Sequence, residues 1–467
     1  MPGAASSKPV NRNVVLAVLL SGGFIAILNQ TLLATALPVF MRDLDITANT
    51  AQWLTTIFML VNGVMIPVTA FLIQKFTTRS LFLTAMGLFT AGTVICMLAP
   101  SFAVLLAGRV VQASGAGIIM PLMQTILFAI FPVHKRGTVM GTFGLVIAFA
   151  PAIGPSLSGW IVDHYPWQTL FQMILPFAVV DMIVAYFILR NVTERTFPKL
   201  DVPSIIMSCL GFGGLLYGFS IAGGLGWSSP TVLVALIGGA LVLVLFIRRQ
   251  LRLKQPILEF RVFRYRMFTL NTAIGMVVFI VMIGGTTVLP LYMQNMRGLP
   301  AVESGLVLLP GALVMGLSSP ITGRVFDAFG AKWLALGGTV IVTVTTFLYT
   351  VLTVDTSFAY LAIVNTVRMF GTAMVVMPVT TAALNELPMS LIPHGTAMNN
   401  TMRQIAASIG TAVLITVMTS TALDTGGKEG LVHGANISFL VAGCIGLAGV
   451  VMSFFIRKLD EAPREPA

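Results

Sequence analysis

The sequence predicts an all-α, polytopic membrane protein with fourteen transmembrane helices, built as two six-helix bundles plus two inserted helices. Three observations predict it. Of the 467 residues, 57% are hydrophobic and only 9% are charged. A soluble domain carries about 25% charged residues, so most soluble enzyme folds are excluded. The apolar runs are about twenty residues long, the length a helix needs to cross roughly 30 Å of hydrocarbon, whereas strands of a membrane barrel alternate over about ten residues. Finally, the second half of the chain repeats motifs of the first.

The spans follow in order at 14–40, 50–74, 81–99, 103–131, 138–162 and 169–189, then 202–222 and 231–247, then 267–293, 304–325, 333–352, 358–384, 396–419 and 435–456. The residues before the first span show no cleavage site after a short apolar core, so this span reads as retained. The fifth is rich in Gly and Pro, which membrane helices tolerate where neighbours re-satisfy the backbone. The seventh and eighth hold almost no interior charge and read as accessory. The expected division is 1–200 for the N-terminal bundle, 201–266 for the inserted helices with a basic link, and 267–467 for the C-terminal bundle. The three cysteines, Cys96, Cys209 and Cys444, lie within apolar runs and suggest neither disulfides nor a metal-thiolate cluster.

Charge placement sets orientation. With a cytoplasmic N-terminus, 21 of the 27 Lys and Arg fall on cytoplasmic segments, among them Lys8, Arg195, Lys199, Lys458 and Arg464. Only Arg42, Arg297 and Lys428 fall outside, and Arg109, Arg368 and Arg403 lie within spans. This bias predicts both termini inside and explains the net charge of +11 without nucleic acid. Seven of these basic residues lie between Arg248 and Arg266, a link expected to rest on anionic headgroups.

The repeat is visible in two places. Arg109 leads to Pro121, Pro132 and Gly137-Thr138-Val139-Met140, and Arg368 leads to Pro378, Pro388 and Gly395-Thr396-Ala397-Met398. The Arg-to-Gly spacing is 28 residues in one copy and 27 in the other. Pro67-Val68-Thr69-Ala70 is echoed by Pro320-Ile321-Thr322-Gly323. Parallel halves enclosing a midplane site recur in secondary transporters.

These residues resemble the major facilitator superfamily, in its fourteen-span drug:proton antiporter group of lincomycin-resistance-type exporters. The resemblance covers essentially the whole chain. It rests on Leu28-Asn29-Gln30-Thr31-Leu32-Leu33 in the first span, Gly108-Arg109-Val110-Val111-Gln112 in the fourth, and Gly144, Gly154, Pro155 and Gly159 in the fifth. It continues at Gly395 to Gln404 in the thirteenth span and in the loop motif Gly323-Arg324, Asp327, Gly330 and Lys332. It implies the major facilitator fold, with the loop motif stabilising one access state. Two departures stand out. Gln74 replaces the Asp usual in the first-half loop motif, and Asn29 stands where many relatives carry an Asp, so that position cannot exchange a proton near neutral pH.

Ionisable groups inside spans cost roughly 2.5–3.5 kcal/mol on insertion scales and are functional candidates by default. Arg109 lies roughly 10 Å into the fourth span at 1.5 Å per residue, and Arg368 is its repeat mate. Arg does not release its proton, so each is a candidate charge partner for a carboxylate, with a static tether to carbonyls as the alternative. Asp181 lies roughly 20 Å into the sixth span from its outer end. Burial favours the neutral form of a carboxyl group, which makes Asp181 the candidate proton carrier unless it lies on the bundle exterior. Glu303 opens the tenth span, either as a further proton or cation site or as a solvated residue favoured by the helix dipole. Asn29, Gln30, Asn399, Asn400, Arg403 and Gln404 are candidate substrate contacts, with interhelical hydrogen bonding as the alternative. The glycines of the fifth span read either as control of state exchange or as simple packing.

The function expected is a proton-coupled exporter of amphipathic toxic compounds working by alternating access. Export of an endogenous metabolite, lipid or peptide is the alternative. A membrane-embedded enzyme fits less well, because His134, His164, His394 and His433 fall in or beside links and no metal-spaced ligand set occurs. No GxxxxGK[ST] loop occurs, so no nucleotide or other cofactor is expected. The expected partners are the lipid bilayer, small amphipathic molecules and protons, with no nucleic acid. The expected setting is a monomer, multi-pass in the cell membrane.

Overall fold

A computed structural model describes residues 11–192, 200–423 and 427–457. Lys8, Arg195, Lys199, Lys458 and Arg464, used for orientation above, lie outside the described residues. Among the described residues, fourteen helices are long and apolar enough to cross a membrane. They are α1 Arg12–Asp43, α2 Ala48–Lys75, α3 Thr78–Met97, α4 Phe102–Ile130, α5 Arg136–His164, α6 Thr169–Ile188, α7 Val202–Leu225 and α8 Pro230–Arg252. They continue as α9 Arg266–Met296, α10 Ala301–Phe329, α11 Ala331–Leu348, α12 Phe358–Asn385, α13 Ile392–Ser420 and α14 Lys428–Phe454.

Several helices outrun the apolar spans, because polar end residues continue the helix beyond the hydrocarbon. The starts are set by side-chain caps where the sequence supplies them. Thr47 accepts from the Thr50 N–H, Thr77 from Ser80 and Ser357 from Tyr360, opening α2, α3 and α12. α9 departs from a plain helix at two π-helical turns, Gly284–Val288 and Tyr292–Met296, which the apolar pattern does not announce.

The packing repeats. In the first half α1 lies against α2, α4, α5 and α6, while α4 holds α2 and α3, and α3 meets α6. In the second half α9 lies against α12, α13 and α14, while α12 holds α10 and α11, and α11 meets α14. The halves meet along two equivalent seams, α5 with α10 and α2 with α13, and the contacts of α4 with α13 and α5 with α12 exchange in the same way. This is a pseudo-twofold relation. At the α5–α10 seam the backbones touch through glycine: a Cβ on Gly141 would strike the Ser319 carbonyl, and one on Gly323 the Gly137 carbonyl.

α7 and α8 pair through Gly211, Gly214 and Gly239, and α7 packs on both α2 and α13. The inserted pair therefore sits over one seam only. Asp201 and Arg249 tie its ends with hydrogen bonds of 2.8 and 2.9 Å. The Arg249 guanidinium holds the Asp201 carboxyl below the usual carboxylate range. The following link does not simply lie on a surface. Ile257, Leu258 and Val262 are buried, and the Gln250 side chain accepts from the Ile257 N–H at 2.8 Å.

Candidate functional site

Polar residues in apolar helices must find partners in one another, and their pairing defines the candidate sites. Arg109 is fully buried on α4. Its Nη1 donates to Asn29 Oδ1 at 2.7 Å and Gln112 Oε1 at 2.5 Å, and its Nε to the Leu54 carbonyl at 3.2 Å. Gln112 in turn donates to Thr93 at 2.8 Å, and the Phe58 ring lies 4.1 Å from the guanidinium. Three helices thus meet on one cation whose partners are amides and a carbonyl, and α3 joins through Gln112. Among the described residues no acid pairs with it.

Arg368, equally buried on α12, is served differently. Its one hydrogen bond runs to the Val281 carbonyl at 3.4 Å, and its Nε and Nη2 have no partner among the described residues. The guanidinium lies against Gly285 in the first π-helical turn, in the space a Cβ would need. Asn365, one turn earlier on α12, is buried, and neither amide atom has a partner among the described residues.

Asp181 faces inward. It is 5% exposed and accepts a hydrogen bond from Ser21 of α1. Its other oxygen has no partner among the described residues and lies beside Gly22, 2.9 Å from where a Cβ would stand. The structure does not bring Asp181 to either arginine by a salt bridge. Glu303 is exposed in the first turn of α10.

The polar stretch of α13 spreads around its helix. Asn399 donates to Thr272 at 3.3 Å within its own half, and Asn400 donates across the interface to Gln124 at 2.7 Å. Arg403 lies 4.1 Å from the Phe279 ring, and Gln404 lies beside Gly63 of α2. Gln30 is half-buried.

One end of the bundle, where α1 begins and α14 ends, holds a set of cross-links between halves. Asp327 at the end of α10 accepts from the Gly137 N–H at 2.7 Å, the Thr138 N–H at 2.8 Å and the Thr138 hydroxyl at 2.6 Å. A carboxylate there complements the positive N-terminal end of α5. Arg136 donates to Asn385 at 2.9 Å, and Thr125 meets Thr396 at 3.0 Å. Among the described residues, the side-chain hydrogen bonds that join the halves all lie toward this end. Arg324 is exposed, Lys332 half-buried, and Gly330 takes φ 79°, a left-handed turn that lets α11 follow α10 directly.

His394, expected in or beside a link, lies just past one. It is 4% exposed in the first turn of α13, 2.7 Å from Gln74 and 3.3 Å from the Glu259 N–H it accepts from. Gln74, the departure from the loop motif, thereby joins α2 to α13. The fifth-helix glycines face different neighbours. Gly144 faces Met377 and Ser319 of the other half, Gly154 faces Thr31, and a Cβ on Gly159 would meet open space. Pro155 lies within the same helix. Gln112, Gln124 and Thr125 were missed although each is a polar residue within an apolar helix, the same signal that singled out Asn29.

Residues 19–411 match the family model described as Major Facilitator Superfamily. The chain is 54% identical to the uncharacterized MFS-type transporter YcnB of Bacillus subtilis, over 100% of this chain and 99% of that one. It is 43% identical to the lincomycin resistance protein LmrB of the same organism, over 98% of each. Among solved structures, the human organic anion transporter MFSD10 (TETRAN) aligns with a TM-score of 0.70 at 14% identity, covering 96% of this chain and 100% of that one. That likeness concerns the fold alone.

Proposed function

The chain belongs to the major facilitator superfamily and is a multi-pass membrane transporter, not an enzyme; from that premise we propose that it exports amphipathic toxic compounds in exchange for protons by alternating access. The likeness to a lincomycin resistance protein along nearly the full length supports the choice of cargo. The observation that carries the mechanism is the confinement of the cross-links between halves to one end of the bundle. Such a gate closes one side while leaving the other free to part, as rocking about a midplane site requires.

The working units in this reading are 1–200, 201–266 and 267–467, acting as a monomer in the cell membrane with both termini cytoplasmic. The closed end is then the cytoplasmic one, and the structure corresponds to an outward-facing state. Asp181 carries the proton, supported by its burial and its free oxygen. Arg109 and Arg368 respond to its charge through the helices that hold them, and Glu303 lies at the outer mouth. Asn29, Gln30, Asn399, Asn400, Arg403 and Gln404 contact the cargo. Gly323, Arg324, Asp327, Gly330 and Lys332, with Gly144, Gly154, Pro155 and Gly159 of α5, govern the exchange of states.

Reconstitution into proteoliposomes with an imposed pH gradient tests the reading. Dye or lincomycin transport driven by the gradient is expected, with Asp181→Asn abolishing the coupling while retaining cargo binding. Transport indifferent to the gradient removes the antiport assignment. Full coupling in Asp181→Asn removes Asp181 as the carrier.

A further inference from the structure

A cavity of about 480 Å³ opens at the closed end, walled by α9, α10, α11, α12, the residues just after α14, and Val133 and His134 before α5; the state-exchange residues Asp327, Gly330 and Lys332 line it, and no ligand is assigned to it above. Its chemistry is uneven. The first turn of α11, Ala331 to Trp333, forms one wall, and this helix start has neither a side-chain cap nor an acidic residue. First-turn N–H groups have no acceptor within their helix and carry partial positive charge. Lys332, Arg457 and His134 add basic side chains around them. The acid in the wall, Asp327, is already engaged by the two N–H groups and the hydroxyl at the start of α5.

A second feature points to a ligand independently. Asn271 of α9 lines the cavity at 1% exposure, and its Nδ2 donates to the Met267 carbonyl at 2.8 Å. Its Oδ1 has no donor among the described residues. A buried amide oxygen without a donor is unfavourable, and Asn271 lines the same space as the cations. At the rim, Phe329 and Trp333 are 66% and 69% exposed. Aromatic rings of this kind sit at the headgroup level of a bilayer.

We propose that this cavity binds the headgroup of an anionic phospholipid whose phosphodiester carries a hydroxylated alcohol. The phosphate meets Lys332, Arg457 and the N–H groups of α11. A headgroup hydroxyl donates to Asn271 Oδ1, and the acyl chains run past Phe329 and Trp333. A choline headgroup brings a cation to the basic wall and no donor to Asn271. A free glycerol phosphate offers the same polar groups without the chains, and the exposed aromatic rim favours the lipid.

The test is native mass spectrometry of the full chain in detergent, titrated with phosphatidylglycerol, phosphatidylethanol, phosphatidylcholine and glycerol 3-phosphate. One phosphatidylglycerol is expected to bind at least about tenfold more tightly than phosphatidylcholine, in line with two basic side chains near a phosphate. It should also bind more tightly than phosphatidylethanol, which has the charge but no hydroxyl. The pair Lys332→Gln with Arg457→Gln should erase the first preference, Asn271→Leu the second, and Arg12→Ala, an exposed cation at the start of α1, neither. Equal binding of phosphatidylglycerol and phosphatidylcholine to the wild type overturns the proposal without any variant. Preferences that survive these substitutions overturn the site. Glycerol 3-phosphate binding as tightly as the lipid overturns the lipid as the ligand.

Discussion

Arg109 is the clearest case of a single side chain organising its surroundings. Its fork spans Asn29, Gln112 and the Leu54 carbonyl at once, over the Phe58 ring. A lysine carries the same charge as a compact point and cannot span that fork. Each buried polar group left without its partner costs about 1–3 kcal/mol. Arg109→Lys is therefore expected to lower the thermal unfolding temperature by several degrees and to remove transport, and wild-type behaviour of both would show that charge alone suffices. The cost of burying charge singles out Arg109, Arg368, Arg403 and Asp181 from the sequence. It does not say which neighbour each one meets. Asn29 and Arg109 are 80 residues apart, and helix rotation about its axis leaves almost no trace in runs that are apolar on every side.

Among the helices, α9 carries the feature least visible beforehand. Its π-helical turn at Gly284–Val288 places Gly285 under the Arg368 guanidinium. In the first half, Arg109 meets the Asn29 amide, and in the second half its repeat mate meets bare backbone. Gly285→Ala should force the guanidinium aside and destabilise the protein by about 1–3 kcal/mol, the usual cost of overpacking. In an Arg368→Ala background that extra cost should vanish, because the two residues are in direct contact. Thermal unfolding of the four proteins measures this, and additive losses would sink the contact. Number, order and approximate ends of the helices were legible because hydrocarbon thickness dictates span length. The π-helical turns, and the way the link at Ile257 to Val262 folds onto the bundle, depend on tertiary partners and were not. Nor was the burial of His394, since a histidine four residues past Pro388-Met389-Ser390 gives no sign of its Gln74 partner.

For the whole molecule, closure at one end rests on a few cross-links, of which Asp327 supplies three hydrogen bonds to the start of α5. Hydrogen bonds to charged groups contribute about 1.5–3 kcal/mol each, and every 1.4 kcal/mol is a tenfold change in an equilibrium. Asp327→Ala should therefore shift the population strongly toward separation at that end. Spin labels on Lys135→Cys and Trp333→Cys, in a background lacking Cys96, Cys209 and Cys444, should report a longer distance in the Asp327→Ala protein. An unchanged distance distribution would move the latch elsewhere, with the Arg136–Asn385 and Gln74–His394 pairs next in line.

The hairpin of α7 and α8 breaks the pseudo-twofold relation, because it lies against α2 and α13 and has no counterpart beside α5 and α10. A solute dissolved in the bilayer consequently meets two unequal doorways. One is shuttered by a pair of extra rods, and the other stands bare to the lipid tails, so any sideways entry or exit is steered to a single flank of the molecule.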